Sequence, residues 1–192
     1  MAGKRIIIAD DEPLIRLDLR EALTDEGYEV VGEAADGSEA INLATTLRPD
    51  AAILDIKMPG VDGLEAARRI VGERLCAVVI LTAFSQRDLI EEATDAGALA
   101  YLIKPYQQAD LVPTIELASA RFRELVALSE QSESLADQLE TRKLIDRAKG
   151  LLMDRHDLSE QEAFRFLQQT AMSTRSPMKS VAQRVVDGEL SP

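Results

Sequence analysis

The chain has 192 residues, 46% hydrophobic and 29% charged, which is enough for one domain with a buried core plus a smaller unit. Its single cysteine excludes an intramolecular disulfide, and no apolar run approaches the roughly 18 residues of a membrane span, so we expect a cytoplasmic protein with no membrane partner. The net charge is uneven: residues 1–135 carry 13 Lys and Arg against 25 Asp and Glu, a balance of −12, whereas residues 136–192 carry nine of each. The first part should repel nucleic acid and the second need not, which predicts two functional units.

Five short apolar runs in the first part of the chain predict buried strands, because each is rich in aliphatic residues and bounded by turn residues. These runs are residues 4–9, 29–34, 50–55, 76–82 and 99–103. Helical patterns separate them. Strands that alternate with helices predict an α/β fold, a doubly wound, five-stranded parallel sheet with right-handed crossovers.

The helices between the strands have their own start signals. Pro13 opens the first, and Asp36 caps the second. Ser85 is predicted to cap a later helix that ends at Gly97. The leucines that recur in the first helix at near-helical spacing are Leu14, Leu17 and Leu23. The inner face of the second is predicted to hold Ala40, Leu43, Ala44 and Leu47.

Polar side chains follow four of the five strands: Asp10 and Asp11 the first, Asp55 the third, Thr82 the fourth and Lys104 the fifth. We expect them to lie together, because parallel strands present their carboxyl ends at one edge of the sheet. Clustered carboxylates repel one another unless a cation lies among them, and Mg²⁺ takes few carboxylates and keeps several waters. Two hydrogen-bond donors and a metal around one carboxylate predict phosphoryl transfer to Asp55, which acts as the nucleophile.

Each of these groups also has a purely structural interpretation. The acidic residues 10–12 could stabilise the start of a helix through its dipole, and Lys104-Pro105 could be only a turn. Four strand ends that carry compatible groups together favour the site.

A long helix is predicted from about Ala109, because no glycine follows until Gly150 and the only proline, Pro113, lies near its start. Apolar residues seven apart, with one polar defect at Ser132, form a short heptad-like pattern. Its members are Leu111, Ala118, Leu125, Leu128, Leu135 and Leu139. The helix either pairs with a second helix as a coiled coil or packs on its own chain.

The end of the chain is predicted to be all helical. Residues 141–153 continue or restart the long helix, a capping box at Ser159 to Glu162 opens the next helix, and Ser176-Pro177 begins the last. The residues predicted to face inward in these last two helices are Ala163, Phe164, Leu167, Ala171, Met178, Val181, Ala182 and Val185. Arg142, Lys143, Arg147 and Lys149 form two adjacent basic stripes, for which a solvated helix face is the structural interpretation.

The first 120 or so residues resemble the CheY-like, flavodoxin-like receiver domain of two-component response regulators. The resemblance lies in the acidic pair after the first strand, LDIKMPGVDG after the third, LTA after the fourth and YLIKP after the fifth. It implies that Asp55 accepts a phosphoryl group from a sensor histidine kinase. It also implies a set of Mg²⁺ ligands comprising Asp10 through water, Asp11, Asp55 and the backbone carbonyl of Lys57.

The same resemblance assigns the switch residues. Thr82 would move toward the phosphoryl group and the ring of Tyr101 would follow. Lys104 would contact the phosphoryl oxygens, and the Lys104-Pro105 bond would be cis. Lys57 and Phe84 lie two places past Asp55 and Thr82, so we expect them to influence the lifetime of the phosphoryl group.

The segments TRKLIDRAKGLLM, EAF and Ala171-Met172 resemble the ANTAR domain of the AmiR and NasT antitermination regulators, a three-helix RNA-binding module joined to its receiver by a coiled coil. The resemblance implies binding of RNA stem-loops, and close approach of a neighbour at a bend near Gly150. Many ANTAR domains have an arginine pair where this chain has Gln168 and Gln169, which can hydrogen-bond bases but offer no charge to phosphates. The RNA contacts are therefore expected at Arg142, Lys143, Arg147 and Lys149.

The predicted domains are a receiver at 1–120, a helical coiled-coil linker at 121–140 and an ANTAR domain at 141–192. We expect phosphorylation of Asp55 to favour a homodimer that binds tandem RNA stem-loops and controls expression by transcription antitermination. Self-phosphorylation and slow self-dephosphorylation are the only chemistry expected. The alternatives are a DNA-binding output, a protein-interaction output, and an enzyme such as a phosphatase that uses Asp55.

Overall fold

The computed structural model describes residues 3–83 and 96–192. The chain divides into two compact units, Met1–Ala127 and Leu128–Pro192. The predicted helix capped by Ser85, and Phe84 before it, lie outside the described residues. No helix in the described ranges has the length and apolar character needed to span a membrane.

The first unit contains a five-stranded parallel sheet, as the alternating pattern predicted. Its strands are β1 (Arg5–Ala9), β2 (Glu29–Ala34), β3 (Ala51–Asp55), β4 (Ala77–Thr82) and β5 (Ala100–Ile103). Their spatial order is β2-β1-β3-β4-β5, which places β1 and β3 side by side near the centre. The carboxyl ends of the strands that carry the predicted site therefore lie next to one another.

Six helices are described along the chain. They are α1 (Pro13–Asp25), α2 (Gly37–Leu47), α3 (Gly63–Gly72), α4 (Gln108–His156), α5 (Glu160–Thr174) and α6 (Met178–Val186). Asp36 caps α2 by accepting from the backbone N–H of Glu39, as predicted, and Asp62 caps α3 in the same way through Glu65. Each cap satisfies a backbone donor that the first helical turn would otherwise leave unpaired.

Helices cover both faces of the sheet, because successive strand residues point to opposite sides. Ile7, Leu54 and Ile80 pack in a core with α2 and α3, whereas Ile8, Ile53 and Leu81 pack in a second core with α1 and the start of α4. The two apolar layers hold the strands rigidly, so the residues at their carboxyl ends have fixed positions.

The spacing of leucines in α1 did not identify its buried face. Leu23 is fully buried together with Leu19, but Leu14 and Leu17 are 79% and 51% exposed. The face that packs on the sheet is Ile15, Leu19 and Leu23, at spacings of four residues.

Helix α4 spans 49 residues, and its first part follows the interpretation as a helix packed on its own chain. Leu111 and Ala118 are buried in the core of the first unit, as in an ordinary amphipathic helix. Leu128, Leu135 and Leu139 are more than half exposed. The close approach predicted at Gly150 is wrong, because a Cβ there would meet nothing within 4 Å beyond the neighbouring backbone of its own helix, which continues through this residue.

The second unit has its own core, formed by the end of α4 with α5 and α6. The predicted capping box at Ser159 and Glu162 is confirmed in both of its hydrogen bonds. The buried core residues are Ala148, Leu152, Ala163, Leu167, Ala171, Val181, Ala182 and Val185. The inward prediction for Phe164 is wrong: this side chain is 43% exposed, and Phe166 packs against the core instead.

Candidate functional site

The carboxyl edge of the sheet brings four of the predicted site residues together. Asp55 is the last residue of β3 and Thr82 the last of β4, while Asp10 and Lys104 follow β1 and β5 directly. The backbone N–H of Lys104 donates to the carbonyl of Thr82 at 2.7 Å, which extends the β4–β5 pairing up to the site. The sheet therefore fixes where each side chain starts.

Lys104 connects the two buried carboxylates. Its Nζ lies 2.6 Å from Asp10 Oδ2 and 2.6 Å from Asp55 Oδ1. The backbone N–H groups of Glu12 and Lys57 donate to the remaining oxygens, Asp10 Oδ1 at 2.9 Å and Asp55 Oδ2 at 2.7 Å. Every oxygen of both carboxylates thus has a donor, which is what residues only 1% and 7% exposed require.

Burial and charge act in opposite directions on these groups. Burial raises the pKa of Asp55 above its ordinary value and the Asp10 charge adds to this, while the hydrogen bond and charge of Lys104 oppose it. Burial lowers the pKa of Lys104, but hydrogen bonds and charges from Asp10 and Asp55 outweigh it, so this pKa is raised. We infer that Lys104 stays protonated at neutral pH and forms a charge-assisted contact of 2.6 Å with each of the two carboxylates.

A pocket of about 270 Å³ opens beside this pair. Its lining residues are Asp11, Glu12, Asp55, Ile56, Lys57, Thr82, Ala83 and Lys104. Across residues 3–83 and 96–192, no three acidic, histidine or cysteine side chains converge closely enough to enclose a metal ion by themselves. Mg²⁺ needs only one or two carboxylates besides water, so Asp11 and Asp55, which line one pocket, fit it, whereas Asp10 does not line the pocket.

The two predicted switch residues lie in different environments. Thr82 is buried and lines the pocket, whereas Tyr101 is 45% exposed and does not line it. In the β4–β5 register Tyr101 pairs with Ile80, and alternate residues of β5 point to opposite faces. The Lys104-Pro105 bond is cis, as predicted.

Two residues at this site had no role in the sequence prediction. Arg16 Nη1 donates to the backbone carbonyl of Asp10 at 2.6 Å, and the signal for it is its place one turn into α1. Gly63 begins α3, and a Cβ there would lie 1.9 Å from the Asp55 carbonyl oxygen. A glycine at the first position of a helix, where better helix formers are available, is the signal for such close contact.

The predicted RNA-binding residues lie in the second unit and differ in availability. Arg142 and Arg147 are exposed and form no salt bridge with any described residue, while Lys143 pairs with Glu140 at 3.1 Å. Lys149 is largely buried and lies 2.8 Å from carboxylates of both Asp146 and Glu160. The two arginines are therefore the freest cations of this set.

Comparisons with known proteins find a matching family for each of the two parts of the chain. The response regulator receiver domain matches residues 6–116 and the ANTAR domain matches residues 133–186. The chain is 54% identical to the transcriptional regulatory protein PdtaR of Mycobacterium tuberculosis H37Rv, over 96% of this chain and 90% of PdtaR.

Solved receiver structures resemble the first unit. The signal receiver domain of the response regulator NarL from Mycobacterium tuberculosis has a TM-score of 0.60 and 30% identity, covering 62% of this chain and 98% of that one. A chain of the CheX-CheY-BeF3-Mg²⁺ complex from Borrelia burgdorferi has a TM-score of 0.55 and 26% identity, covering 58% of this chain and 86% of that one.

Proposed function

This chain belongs to the response regulators that join a receiver domain to an ANTAR domain, and we propose that it is a cytoplasmic, phosphorylation-controlled RNA-binding regulator. A sensor histidine kinase donates a phosphoryl group to Asp55, and the ANTAR domain binds RNA stem-loops to control transcription antitermination. The observation that carries the proposal is the Lys104 ammonium, placed 2.6 Å from both Asp10 and Asp55 in a chain that also has an ANTAR domain.

The chemistry at Asp55 is a simple transfer. A carboxylate oxygen attacks phosphorus, an O–P bond forms as the N–P bond to the donor imidazole breaks, and the imidazole nitrogen keeps the electron pair. The Lys57 N–H orients the carboxylate through Oδ2, and the Lys104 ammonium stabilises charge on the phosphoryl oxygens. Asp11, Asp55 and the carbonyl of Lys57 would hold Mg²⁺, which would supply further positive charge here, in keeping with the Mg²⁺ of the Borrelia complex.

Phosphorylation changes the charge that Lys104 must neutralise. It replaces the single negative charge of the Asp55 carboxylate with the roughly 1.5 to 2 negative charges of a phosphoryl group, beside the Asp10 carboxylate and one ammonium. Lys104 then shifts its hydrogen bonds from carboxylate to phosphoryl oxygens, and Thr82 and Tyr101 act as the switch. Such a change alters the output only by favouring one of two packings of these elements.

Dimerisation through α4 is the proposed response. Leu128, Leu135 and Leu139 leave an apolar stripe more than half exposed on one chain. Burying a leucine is worth about 1.5 to 3 kcal/mol, so pairing two such stripes provides enough energy for a reversible dimer. Two paired ANTAR domains then bind tandem stem-loops.

The test combines phosphorylation with RNA binding. The full chain is treated with acetyl phosphate and Mg²⁺, phosphorylation is measured by mass spectrometry, and affinity for hairpin RNA is measured on the same samples. We expect tighter RNA binding on phosphorylation, and Asp55→Asn should lose both the mass increase and the change in affinity. Equal affinity before and after phosphorylation refutes the coupling.

One observation favours a second candidate, a protein-interaction output. Lys149 is neutralised by Asp146 and Glu160, and Gln168 and Gln169 offer no charge. A protein partner that docks on this neutral surface requires few cations. Replacing Arg142 and Arg147 with alanine distinguishes the two, since RNA binding is lost but docking of a protein is spared.

A further inference from the structure

The second unit carries a groove beside the most exposed aromatic ring of that unit's described residues. The groove lies between α4 and the start of α5, has a volume of about 520 Å³, and falls within the range typical of ligand pockets. Its lining residues are Asp137, Gln138, Thr141, Arg142, Ile145, Asp146, Lys149 and Phe164. Phe164 is 43% exposed although its neighbours Ala163 and Leu167 are fully buried.

An exposed ring in this position needs an explanation, because burial of an aromatic side chain is a large source of stability. The helix has an apolar face available, and Phe166 uses it. Phe164 instead presents its ring to the groove together with the aliphatic side chain of Ile145. These two side chains give the groove an apolar part, and a phenyl ring suits stacking with a planar ligand.

The charges around the groove point to an anionic group on that ligand. Asp137 is paired with Lys179, and Asp146 is paired with Lys149. Arg142 is the lining cation that forms no salt bridge with any described residue. Its charge acts on Asp146 without a salt-bridge contact, so the planar guanidinium keeps its donors for a phosphate, which it can bind through two hydrogen bonds.

Polar amides extend the same surface. Phe164 and Gln168 are exposed and lie four residues apart, so they share one face of α5. Glutamine can both donate to and accept from the edge of a base. Gln138 and Thr141 line the groove with further donors and acceptors.

We propose that this groove binds one unstacked base of an RNA hairpin loop. The base stacks on Phe164, its phosphate contacts Arg142, and Gln168 hydrogen-bonds its edge; this inference rests on the proposed RNA-binding function. Bases that are splayed out of a loop are recognised by stacking on aromatic side chains, with hydrogen bonds to their edges. Neither Phe164 nor Gln168 belongs to the basic set predicted from sequence, so the groove adds a specificity element to a weak electrostatic surface.

The test uses the absence of tryptophan from the chain. In the full-length Phe164→Trp variant the indole is the sole tryptophan, and its emission reports directly on stacking. The probe is a hairpin selected by the wild-type chain from a pool with one stem and randomised loops, and the control probe is the same stem as a blunt duplex. Phe164→Ala tests affinity, and Met172→Ala is the matched control, an exposed apolar residue outside the groove.

We expect Phe164→Ala to bind the selected hairpin about 5- to 150-fold more weakly, the range for losing one stacked base, and Met172→Ala to bind like wild type. Emission of the Phe164→Trp variant should fall on adding the hairpin and not the duplex. Unchanged affinity of Phe164→Ala together with unchanged tryptophan emission overturns the proposal while leaving RNA binding intact.

Two other outcomes also overturn it. If Phe164→Ala alters the sedimentation of the free chain and not its RNA affinity, the ring faces a second copy of the chain. If the wild-type chain enriches no hairpin from the pool, the proposed RNA-binding function fails and this inference fails with it. Because Phe164 is exposed, each variant should keep the thermal midpoint of the wild type, which a melt monitored by circular dichroism checks.

Discussion

Replacing Gly63 with alanine should disable the phosphoryl-acceptor site without touching any polar group in it. A Cβ at this position would lie 1.9 Å from the Asp55 carbonyl oxygen, whereas ordinary contacts begin at 3.4 Å, so helix and strand must separate by the difference, 1.5 Å. Overpacking of this kind costs about 1 to 3 kcal/mol of stability. A misplacement of about 1 Å can reduce a reaction rate about 100-fold, so phosphorylation should fall by a factor of that order.

Two measurements check this reasoning. Urea denaturation gives the change in the free energy of unfolding, and mass spectrometry after mixing with acetyl phosphate gives the phosphorylation rate. Gly72→Ala is the matched control, because it lies in the same helix and a Cβ there meets nothing within 4 Å. In the Gly72→Ala protein the free energy of unfolding should rise by up to about 1 kcal/mol, and the phosphorylation rate should not change. A Gly63→Ala protein with wild-type stability and rate would refute the argument.

Three further predictions concern the charged contacts. Lys104→Met leaves two buried carboxylates without their shared cation. We therefore expect urea denaturation to show a free energy of unfolding lower by about 3 kcal/mol, partly recovered by added MgCl₂. An unchanged free energy of unfolding would contradict the ion pair. Glu160→Gln removes one of the two carboxylates that bind Lys149. Affinity for the selected hairpin should therefore rise, and it should depend more steeply on salt concentration. An unchanged salt dependence would show that Lys149 contacts no phosphate. Hydrogen bonds from the Ser159 side chain and backbone lower the pKa of Glu162 in the folded protein. The stability that the capping box contributes is therefore fully present above the unfolded pKa of about 4.3, and it is lost as the pH falls through the folded pKa. Thermal melts between pH 3 and 7 should show this loss, and Glu162→Gln, which keeps a hydrogen-bonding side chain that does not titrate, should flatten that part of the profile.

The sheet and its site were predictable because their signals are local. Each strand is an apolar run bounded by turn residues, and parallel strands must present their ends at one edge. Asp10, Asp55 and Lys104 could therefore be placed together from sequence, and the structure places them in direct contact.

The helical part was predicted less well because periodicity assigns a face only to within one residue. Ala163 and Phe164 are adjacent, so both fit the inward pattern of α5, yet packing against α4 and α6 buries only the alanine. The contact of Lys149 with Glu160 crosses the turn between α4 and α5. Spacing within one helix cannot show such a contact, which depends on how two helices pack.

The position of Asp10 connects the acceptor site to the first helix of the chain. Its Oδ2 binds Lys104, while its Oδ1 accepts the backbone N–H of Glu12, the residue immediately before α1. Three hydrogen bonds thus join Asp55 to the residue before α1, through Lys104 and then Asp10. If the proposed phosphorylation draws Lys104 away from Asp10, we expect the turn into α1 to respond, with the exposed Leu14 beside it.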